Sequence, residues 1–455
     1  MMLSMRSRRL LLAAILCVCV LGRGAYVVYL VHTNAVVTTH GDAPTYLGPA
    51  KELIDHGRFD IAGSPGVPEF LRTPGYPVFI AAVYGIFGQR NAAVLLVQVA
   101  LSAVTILLAY LFAARVWSVP IGLLAALFTL LEPLQNATSS TLLTESLSAL
   151  LLIVVAGIGF TALTRDEPRP ALWALLGLVI AEATLVRPVT YYLPLLVVVV
   201  LIVRRRLRRE RWLDLVKIMV AFLVPLVVLV GGWQLRNHER VGSWQFSGIE
   251  AKNVYHYRAA GVIARASGVP FAEAQHELDK RFGPRGAESQ GSYYDRMYRA
   301  GIRILKSHPA DTFIVTAQGL GSELFSVRVK FFEYLGFRPA SGAAEAVAES
   351  LLVAFYAVAA YGMALVIRRR KDVLAHVFVV GVALYILVAS AGPEAMGGRG
   401  ERFRAPIMPI LILYAAVGAH AIYASTTRRA RTTADRHDPG APDTHPTPRL
   451  APERG

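Results

Sequence analysis

Two acidic side chains stand beside long apolar segments, where an ionisable group is costly unless it is paired or faces water. Asp42 follows the first apolar segment in the run HGDAPTY, and Glu145 opens a later one in LLTESLSALLL. A carboxylate at such a position can accept the proton of a reacting hydroxyl group. Asp42 also suits a solvated turn, and Glu145 suits the polar end of a helix, so both interpretations stay open.

Arginines at the ends of other apolar segments offer fixed positive charge on the same side of the membrane as the two acids. They are Arg72 before TPGYP, Arg187 in LVRP, Arg236 in LRN, and Arg399, Arg402 and Arg404 in GGRGERFR. Guanidinium groups bind phosphate through paired hydrogen bonds, and flexible glycines let a backbone approach a ligand closely. Snorkelling or interfacial anchoring of the same side chains is the alternative. Together with two carboxylates, these arginines suit an anionic lipid substrate and acid–base chemistry better than an ion channel.

Membrane-spanning helices are the elements expected to position these side chains. The chain has 455 residues, of which 55% are hydrophobic and 17% charged, and its mean hydropathy is +0.47. Soluble domains are about 25% charged, and many of the apolar segments here approach the ~20 residues that a bilayer-spanning helix needs. The composition therefore predicts an all-α polytopic membrane protein.

The formal net charge of +16 does not indicate a nucleic-acid partner. Much of the excess lies at the ends of apolar segments, where Lys and Arg are orientation signals. The two cysteines, Cys17 and Cys19, lie two positions apart in the first apolar segment, where a bridge between them is disfavoured. No Cys/His cluster in the sequence suggests structural zinc.

Ten candidate spans follow from the apolar segments: 10–31, 93–115, 119–135, 142–163, 171–187, 188–203, 213–234, 348–367, 373–390 and 405–425. The first resembles a signal peptide but lacks a clear cleavage site, so it is interpreted as an uncleaved span. With residues 1–9 in the cytoplasm, every strongly basic cluster, including 204–209 and 368–371, falls on the cytoplasmic side.

Two large outer segments remain, 32–92 and 235–347. In the first, the apolar stretch 75–87 has about 13 residues, too few to cross comfortably, and is predicted to be an interfacial or re-entrant helix. The second is predicted to contain two amphipathic helices, near 270–282 and 293–306. An apolar stretch near 312–326 follows them and is expected to lie against the membrane.

Four stretches of this chain resemble, in their order and spacing, the GT-C superfamily of glycosyltransferases that use polyprenyl-phosphate sugars. They are GDAPTYLGPAKELIDHGRFD with RTPGYPVFIAAVYGIFG, then LLTESLSALLL, then TLVRPVTYYLPLL, and finally RFRAPIMPILILYAA. The branch they resemble most is the protein-mannosyltransferase-like one, which includes the lipid A aminoarabinose transferase. The resemblance covers residues 10–245 well and 395–425 weakly.

The resemblance implies an enzyme that moves a sugar from a polyprenyl-phosphate donor to an extracytoplasmic glycan, lipid or protein acceptor, with inversion. Asp42 would be the base and Glu145 the acid that supports it. Tyr46 would either contact the sugar or serve as an interfacial aromatic anchor. The phosphate leaving group would be stabilised by Arg72, Arg187 and Arg399, with Arg402, Arg404 and Arg236 behind them. A single acid in GDA, where metal-using members have a pair, favours a reaction without cofactor or divalent metal.

On this basis the chain is divided into five parts. They are a cytoplasmic N-terminus (1–9), a GT-C-like catalytic module (10–234) with the first outer loop (32–92), an extracytoplasmic lid (235–347), C-terminal spans (348–427) and a cytoplasmic tail (428–455). The tail is predicted to be disordered because its last part is rich in proline and lacks apolar periodicity.

The expected location is the cytoplasmic (inner) membrane of a bacterium, with membrane lipids around the spans and the active site on the extracytoplasmic face. Two other functions fit some of the same features: a transporter or flippase of lipid-linked sugars, and a non-catalytic scaffold for envelope assembly. A transporter is expected to carry charged residues near the bilayer midplane. The acids and arginines lie instead at helix ends on one side, which favours the enzyme.

Overall fold

The computed structural model describes residues 4–33, 41–327, 342–392 and 401–436, and the side chains of these as far as 427. Within these ranges the chain is helical, and the only pairing of extended segments is an isolated antiparallel bridge between Asp60 and Pro68. The all-α fold expected from the sequence is therefore confirmed.

The first part of the chain forms eleven α-helices. They are α1 (Met5–His32), α2 (Ala43–His56), α3 (Gly75–Phe87), α4 (Asn91–Val116), α5 (Val119–Leu131), α6 (Pro133–Ser139), α7 (Glu145–Thr164), α8 (Pro170–Val186), α9 (Leu193–Arg208), α10 (Trp212–Leu226) and α11 (Gly232–Val241). A 3₁₀ turn, Pro188–Thr190, precedes α9, and a π-helical segment, Val227–Gly231, joins α10 to α11.

The lid and the last part of the chain add nine more helices within the described residues. They are α12 (Gly248–Lys252), α13 (Ala260–Ser267), α14 (Phe271–Phe282), α15 (Gln290–Ser307), α16 (Pro309–Phe325), α17 (Gly342–Arg368), α18 (Val373–Ser390), α19 (Glu401–Arg404) and α20 (Met408–Arg436). A π-helical segment, Asn253–Ala259, joins α12 to α13, and a 3₁₀ turn, Ala405–Ile407, joins α19 to α20. The two lid helices expected from amphipathic patterns are present as α14 and α15, and the apolar stretch near 312–326 belongs to the helix α16.

Eight helical segments among the described residues are long and apolar enough to cross a membrane: Met5–His32, Asn91–Val116, Glu145–Thr164, Pro188–Arg208, Trp212–Val241, Gly342–Arg368, Val373–Ser390 and Glu401–Thr427. The pair α5–α6, bent by 55°, would make nine. The predicted span 171–187 corresponds to α8, an apolar helix of only 17 residues. Every apolar segment expected to span is thus helical, and 75–87 coincides with the 13-residue helix α3.

The bend between α5 and α6 begins at Pro133. Pro133 ends α5 because its ring cannot continue the helical hydrogen bonding, and the Glu132 carboxylate accepts a hydrogen bond from the Gln135 backbone N–H at 2.6 Å. Arg23 of α1 donates to the Thr129 and Leu130 carbonyls at the end of α5. The carbonyls released by the bend are therefore satisfied inside the bundle.

Glycine allows the last helices to approach each other closely. A Cβ atom on Gly362 of α17 would lie 2.0 Å from the Tyr414 carbonyl oxygen, and one on Gly418 of α20 would lie 2.2 Å from the Val358 carbonyl oxygen. Small residues at such crossings are typical of membrane helices, whose association depends on close van der Waals packing. This crossing holds α20 against the bundle, and α19 directly precedes α20.

Candidate functional site

A cavity of about 700 Å³ lies where the first outer loop, the ends of several long helices and the lid meet. Six of the residues proposed from the sequence line it: Asp42, Tyr46, Arg72, Glu145, Arg187 and Arg402. We call the five ionisable ones other than Tyr46 the charged centre. They come from α2, the segment before α3, α7, the end of α8 and α19.

Asp42 is held between two arginines. Arg72 donates from Nη2 to Oδ1 at 2.8 Å, and Arg402 donates from Nη2 to Oδ2 at 2.7 Å. The Asp42 side chain keeps 32% of its accessible surface. The carboxylate is thus neutralised on both oxygens and still open to the cavity.

One turn of α2 presents three groups to the Arg72 guanidinium. Arg72 donates from Nε to the Thr45 hydroxyl at 2.9 Å and from Nη1 to the Tyr46 hydroxyl at 3.1 Å, in addition to the bond to Asp42. Residues three and four positions apart share one face of a helix, which is why these side chains converge. Gly41, with φ of +68°, makes the turn that leads into α2.

Glu145 is the more deeply buried acid, with 3% of its side chain accessible. It begins α7, and its Oε1 lies 3.1 Å from Arg187 Nη1 and 3.8 Å from Arg402 Nε. Its Oε2 is buried and has no hydrogen-bond partner among the described residues. An acceptor buried in this way without a donor is uncommon in a folded protein.

The charges in the cavity do not cancel. Three guanidinium groups of the charged centre face two carboxylates, which leaves one formal positive charge. The remaining wall adds Glu250, Lys252 and Arg258, so one further positive charge is left over. An excess of cations in a partly enclosed site favours an anionic ligand.

Burial and charge act in opposite directions on Asp42. Burial alone would raise the pKa of its carboxyl, but the guanidinium groups of Arg402 and Arg72 outweigh it and hold that pKa well below its ordinary value. Burial raises the pKa of Tyr46, so its phenol stays protonated at neutral pH. Asp42 is therefore ionised but only weakly basic while both arginines hold it.

Three of the predicted arginines are not in this cavity. Arg404 turns away and donates from Nη1 to the carbonyls of Glu323 and Ser326 at the end of α16, at 2.7 and 2.9 Å. Arg236 donates to the Glu69 and Phe59 carbonyls and so ties α11 to the first outer loop. Arg399 lies outside the described residues.

Several residues of the wall were not singled out from the sequence. They include Thr45, Tyr192, Glu250, Lys252, Arg258, Tyr298 and Tyr385. Thr45 follows Asp42 by three positions, so helical spacing was a usable signal. Most of the others come from the lid or from the middle of apolar helices, where no local motif marks them.

Among the described residues, no group of three or more His, Cys, Asp or Glu side chains has the spacing to hold a metal ion. Metal independence of the reaction stays a prediction, which an activity assay tests.

Residues 71–231 match the family model described as dolichyl-phosphate-mannose-protein mannosyltransferase. That segment contains Arg72, Glu145 and Arg187, whereas Asp42 and Arg402 lie outside it. No curated protein sequence matches the chain.

Solved structures match over nearly the whole chain. The archaeal oligosaccharyltransferase AglB from Archaeoglobus fulgidus, in complex with an inhibitory peptide and a dolichol-phosphate, is 14% identical with a TM-score of 0.55, covering 95% of this chain and 52% of AglB. Its apo form gives 14% and 0.53, covering 93% and 52%. This chain has a GT-C-like fold. ArnT from Cupriavidus metallidurans bound to undecaprenyl phosphate is 15% identical with a TM-score of 0.40, covering 92% of this chain and 82% of ArnT.

The predicted resemblance to GT-C glycosyltransferases is therefore confirmed. The match spans only about half the length of AglB, 52%. A sequence identity of 14% supports a shared fold and does not by itself assign a reaction.

Proposed function

We propose that this protein is a membrane glycosyltransferase that moves a sugar from a polyprenyl-phosphate donor to an extracytoplasmic acceptor. The observation that carries the proposal is Asp42, an ionised carboxylate held by Arg72 and Arg402 in a cavity with excess positive charge. The proposed reaction inverts the anomeric carbon and needs no metal ion. Its proposed location is the extracytoplasmic face of a bacterial inner membrane.

The bonds and the proton balance without a further reactant. The acceptor hydroxyl oxygen attacks the anomeric carbon of the donor sugar, and the bond from that carbon to the phosphate oxygen breaks. The electron pair leaves with the lipid phosphate, and the hydroxyl proton passes to Asp42. The arginines stabilise the negative charge that develops on the leaving phosphate.

Arrival of the donor would change the strength of the base. Arg72 and Arg402 each have hydrogen bonds to Asp42 in the resting cavity, and a phosphate group competes for the same guanidinium donors. As the phosphate takes over these donors, Asp42 loses the charges that hold its pKa down and becomes more basic. Donor binding thus prepares the carboxylate to accept a proton.

Glu145 is proposed to position the arginines rather than to accept the proton. Its Oε1 is in contact with Arg187 and Arg402, so it orients both side chains toward the cavity. Two comparisons support a polyprenyl-phosphate sugar as the donor. The matching family model is described as dolichyl-phosphate-mannose-protein mannosyltransferase, and the AglB structure is a complex with an inhibitory peptide and a dolichol-phosphate.

The test is single-turnover transfer by the purified protein from radiolabelled polyprenyl-phosphate mannose, arabinose and glucose, with membrane extract as acceptor source and EDTA present or absent. Asp42→Asn is expected to lower transfer by about 100-fold or more, the usual contribution of a general base. Asp55→Asn, on an exposed part of the same helix, is the matched control.

Transfer by wild type and Asp55→Asn that persists in EDTA would support the proposal in full. Full transfer by a folded Asp42→Asn would remove the proposed base. Equal donor binding by wild type and Asp42→Asn without any transfer would instead favour a carrier of lipid-linked sugars. Loss of transfer in EDTA, restored by a divalent cation, would overturn the metal-free reaction.

A further inference from the structure

The part of the cavity wall away from the charged centre contains an acid with no local partner. Glu250, on the short helix α12, lines the cavity, and its carboxylate has no hydrogen bond or ion pair among the described residues. Burial raises the pKa of its carboxyl, and nearby Arg258 only partly opposes this. A desolvated carboxylate without a partner costs free energy that a bound hydrogen-bond donor would recover.

Three tyrosines surround Glu250. Tyr192 precedes α9, Tyr298 lies on α15 and Tyr385 lies on α18, and all three line the same cavity. The Glu250 carboxylate lines this cavity with them and interacts electrostatically with each of their phenols. Tyr385 also accepts a hydrogen bond from the Tyr192 backbone N–H at 3.1 Å and donates to the Val189 carbonyl at 2.7 Å, which holds its ring in place.

The π-helical segment that follows α12 brings the lid against the long helices. Within it, Arg258 donates from Nη2 to the Ala389 carbonyl at the end of α18, at 2.7 Å. Widened helical turns of this type occur frequently at functional sites. This hydrogen bond connects the segment after α12 to α18, the helix that carries Tyr385.

Around Glu250 this wall suits a neutral group rich in hydroxyls, while the excess positive charge of the cavity favours an anionic group bound at the charged centre. A cationic ligand would meet Lys252 and Arg258, and an anionic one would meet Glu250. An apolar chain would leave the Glu250 carboxylate without a donor. A sugar ring offers hydroxyl donors at its edge for the carboxylate and the phenols, and C–H groups on its faces for aromatic rings to pack against.

We propose that Glu250, Tyr192, Tyr298 and Tyr385 form a sugar-binding subsite that continues from the charged centre within one cavity. The inference rests on the proposed function in that the bound sugar is a substrate of the same reaction. The sugar has two sources, the donor's own sugar or a glycan acceptor, and both present the same hydroxyl chemistry to Glu250.

The experiment compares two sets of probes on the full-length protein in lipid nanodiscs. The first set is undecaprenyl phosphate against undecaprenyl-phosphate mannose, arabinose and glucose. The second set is the methyl glycosides of the same sugars, titrated into protein loaded with undecaprenyl phosphate. The variants are Glu250→Gln, which removes the charge, and Tyr298→Phe, which removes one hydroxyl. Glu277→Gln, exposed on α14 of the same lid, is the matched control.

Wild type is expected to bind at least one lipid-linked sugar more tightly than undecaprenyl phosphate, or to bind at least one of the methyl glycosides. Glu250→Gln should weaken that binding about tenfold, the loss of one charge-assisted hydrogen bond, and leave bare undecaprenyl phosphate unchanged. A loss confined to the lipid-linked sugars assigns the subsite to the donor. A loss confined to the methyl glycosides assigns it to the acceptor.

Three results would overturn the subsite: no sugar preference in wild type, no effect of Glu250→Gln on any sugar, or equal loss of bare undecaprenyl phosphate. Failure of the proposed function gives a different result. The preference for sugar-bearing probes in binding would remain, but no radiolabel would reach an acceptor in the transfer assay. Tyr298→Phe keeps the ring, so it tests the same surface in case Glu250→Gln fails to fold.

Discussion

Asp42 and Arg402 are 360 positions apart in the sequence, and their side chains meet at 2.7 Å. The contact joins the first outer loop to the short helix that precedes the last span, while Arg402 Nε also lies 3.8 Å from Glu145. One guanidinium thus connects the two acids of the site. The first and the last sequence motifs are consequently parts of one charged centre.

Arg72→Lys is expected to lower transfer at saturating donor by about tenfold or more. Lysine keeps the positive charge but cannot reproduce the planar fork that bonds to Thr45, Tyr46 and Asp42 together. Single-turnover rates measure the effect. Arg58→Lys, a partly exposed arginine of the same outer loop, is the control and should keep its activity. Equal rates for Arg72→Lys and wild type would show that charge alone suffices.

Arg402→Gln is expected to move the acid side of the pH–rate profile upward. With Arg402 removed, Arg72 alone opposes the effect of burial, so the pKa of Asp42 rises toward its ordinary value of about 3.9. Asp42 then becomes protonated at a higher pH than in wild type, so activity falls earlier as the pH decreases.

The measurement for Arg402→Gln is the transfer rate at limiting donor, which reports the enzyme before the donor phosphate takes over the arginines. It is recorded between about pH 4 and pH 7 and normalised to the rate at neutral pH, where Asp42 is ionised. Arg265→Gln, whose partner is Asp311 in the lid, should retain the wild-type profile. A profile for Arg402→Gln with the wild-type midpoint would contradict a role of Arg402 in setting the ionisation of Asp42.

Glu145→Gln is expected to destabilise the protein by a few kcal/mol, since breaking a buried ion pair typically costs about 3–5 kcal/mol. The reason is that Arg187, with 14% of its side chain accessible, keeps its charge without its partner. Combining it with Arg187→Gln should recover part of the loss in Tm. Thermal unfolding of the single and double variants in one detergent gives the coupling. Strictly additive losses would show that the pair contributes nothing.

Glu323→Gln is expected to flatten the dependence of Tm on pH. Burial raises the pKa of Glu323 to about 8, and the side chain is fully buried with Ser390 donating to Oε1 at 2.9 Å. The folded protein therefore binds a proton that the unfolded chain releases near pH 4.3. Stability linked to this group decreases as the pH rises from there to about 8, and then levels off.

Thermal unfolding of wild type and Glu323→Gln between about pH 5 and 9 checks the expected slope. Glu273→Gln, exposed on α14, should behave as wild type. Parallel curves for Glu323→Gln and wild type would show that Glu323 stays ionised in the folded protein.

The sequence was informative about helices because apolar length and amphipathic spacing report directly on burial. It predicted α3 as a short helix with its observed bounds, 75–87, and placed two amphipathic helices in the lid. It predicted α8 within one residue of its observed bounds, and it did not anticipate the bend at Pro133. The carbonyl groups at that bend accept hydrogen bonds from Arg23 of a distant helix, a contact that local sequence patterns do not reveal.

The arginines show why site residues were harder to assign than helices. Arg402 and Arg404 belong to the same motif, yet Arg402 faces Asp42 and Arg404 faces the carbonyls at the end of α16. Residues two positions apart point to opposite sides of a helix. Sequence alone does not reveal which side is covered by another element. Glu250 was missed for a similar reason, because only the folded lid brings it to the cavity.

The short helix α8 has a consequence for the surrounding bilayer. Its 17 residues extend about 25 Å at 1.5 Å per residue, less than the hydrocarbon thickness of about 30 Å. A membrane accommodates a short span by thinning beside it. Since Arg187 directly follows α8, the lipid surface should dip toward the charged centre. A lipid phosphate could then reach the arginines by sideways diffusion, without its chain being lifted out of the hydrocarbon layer.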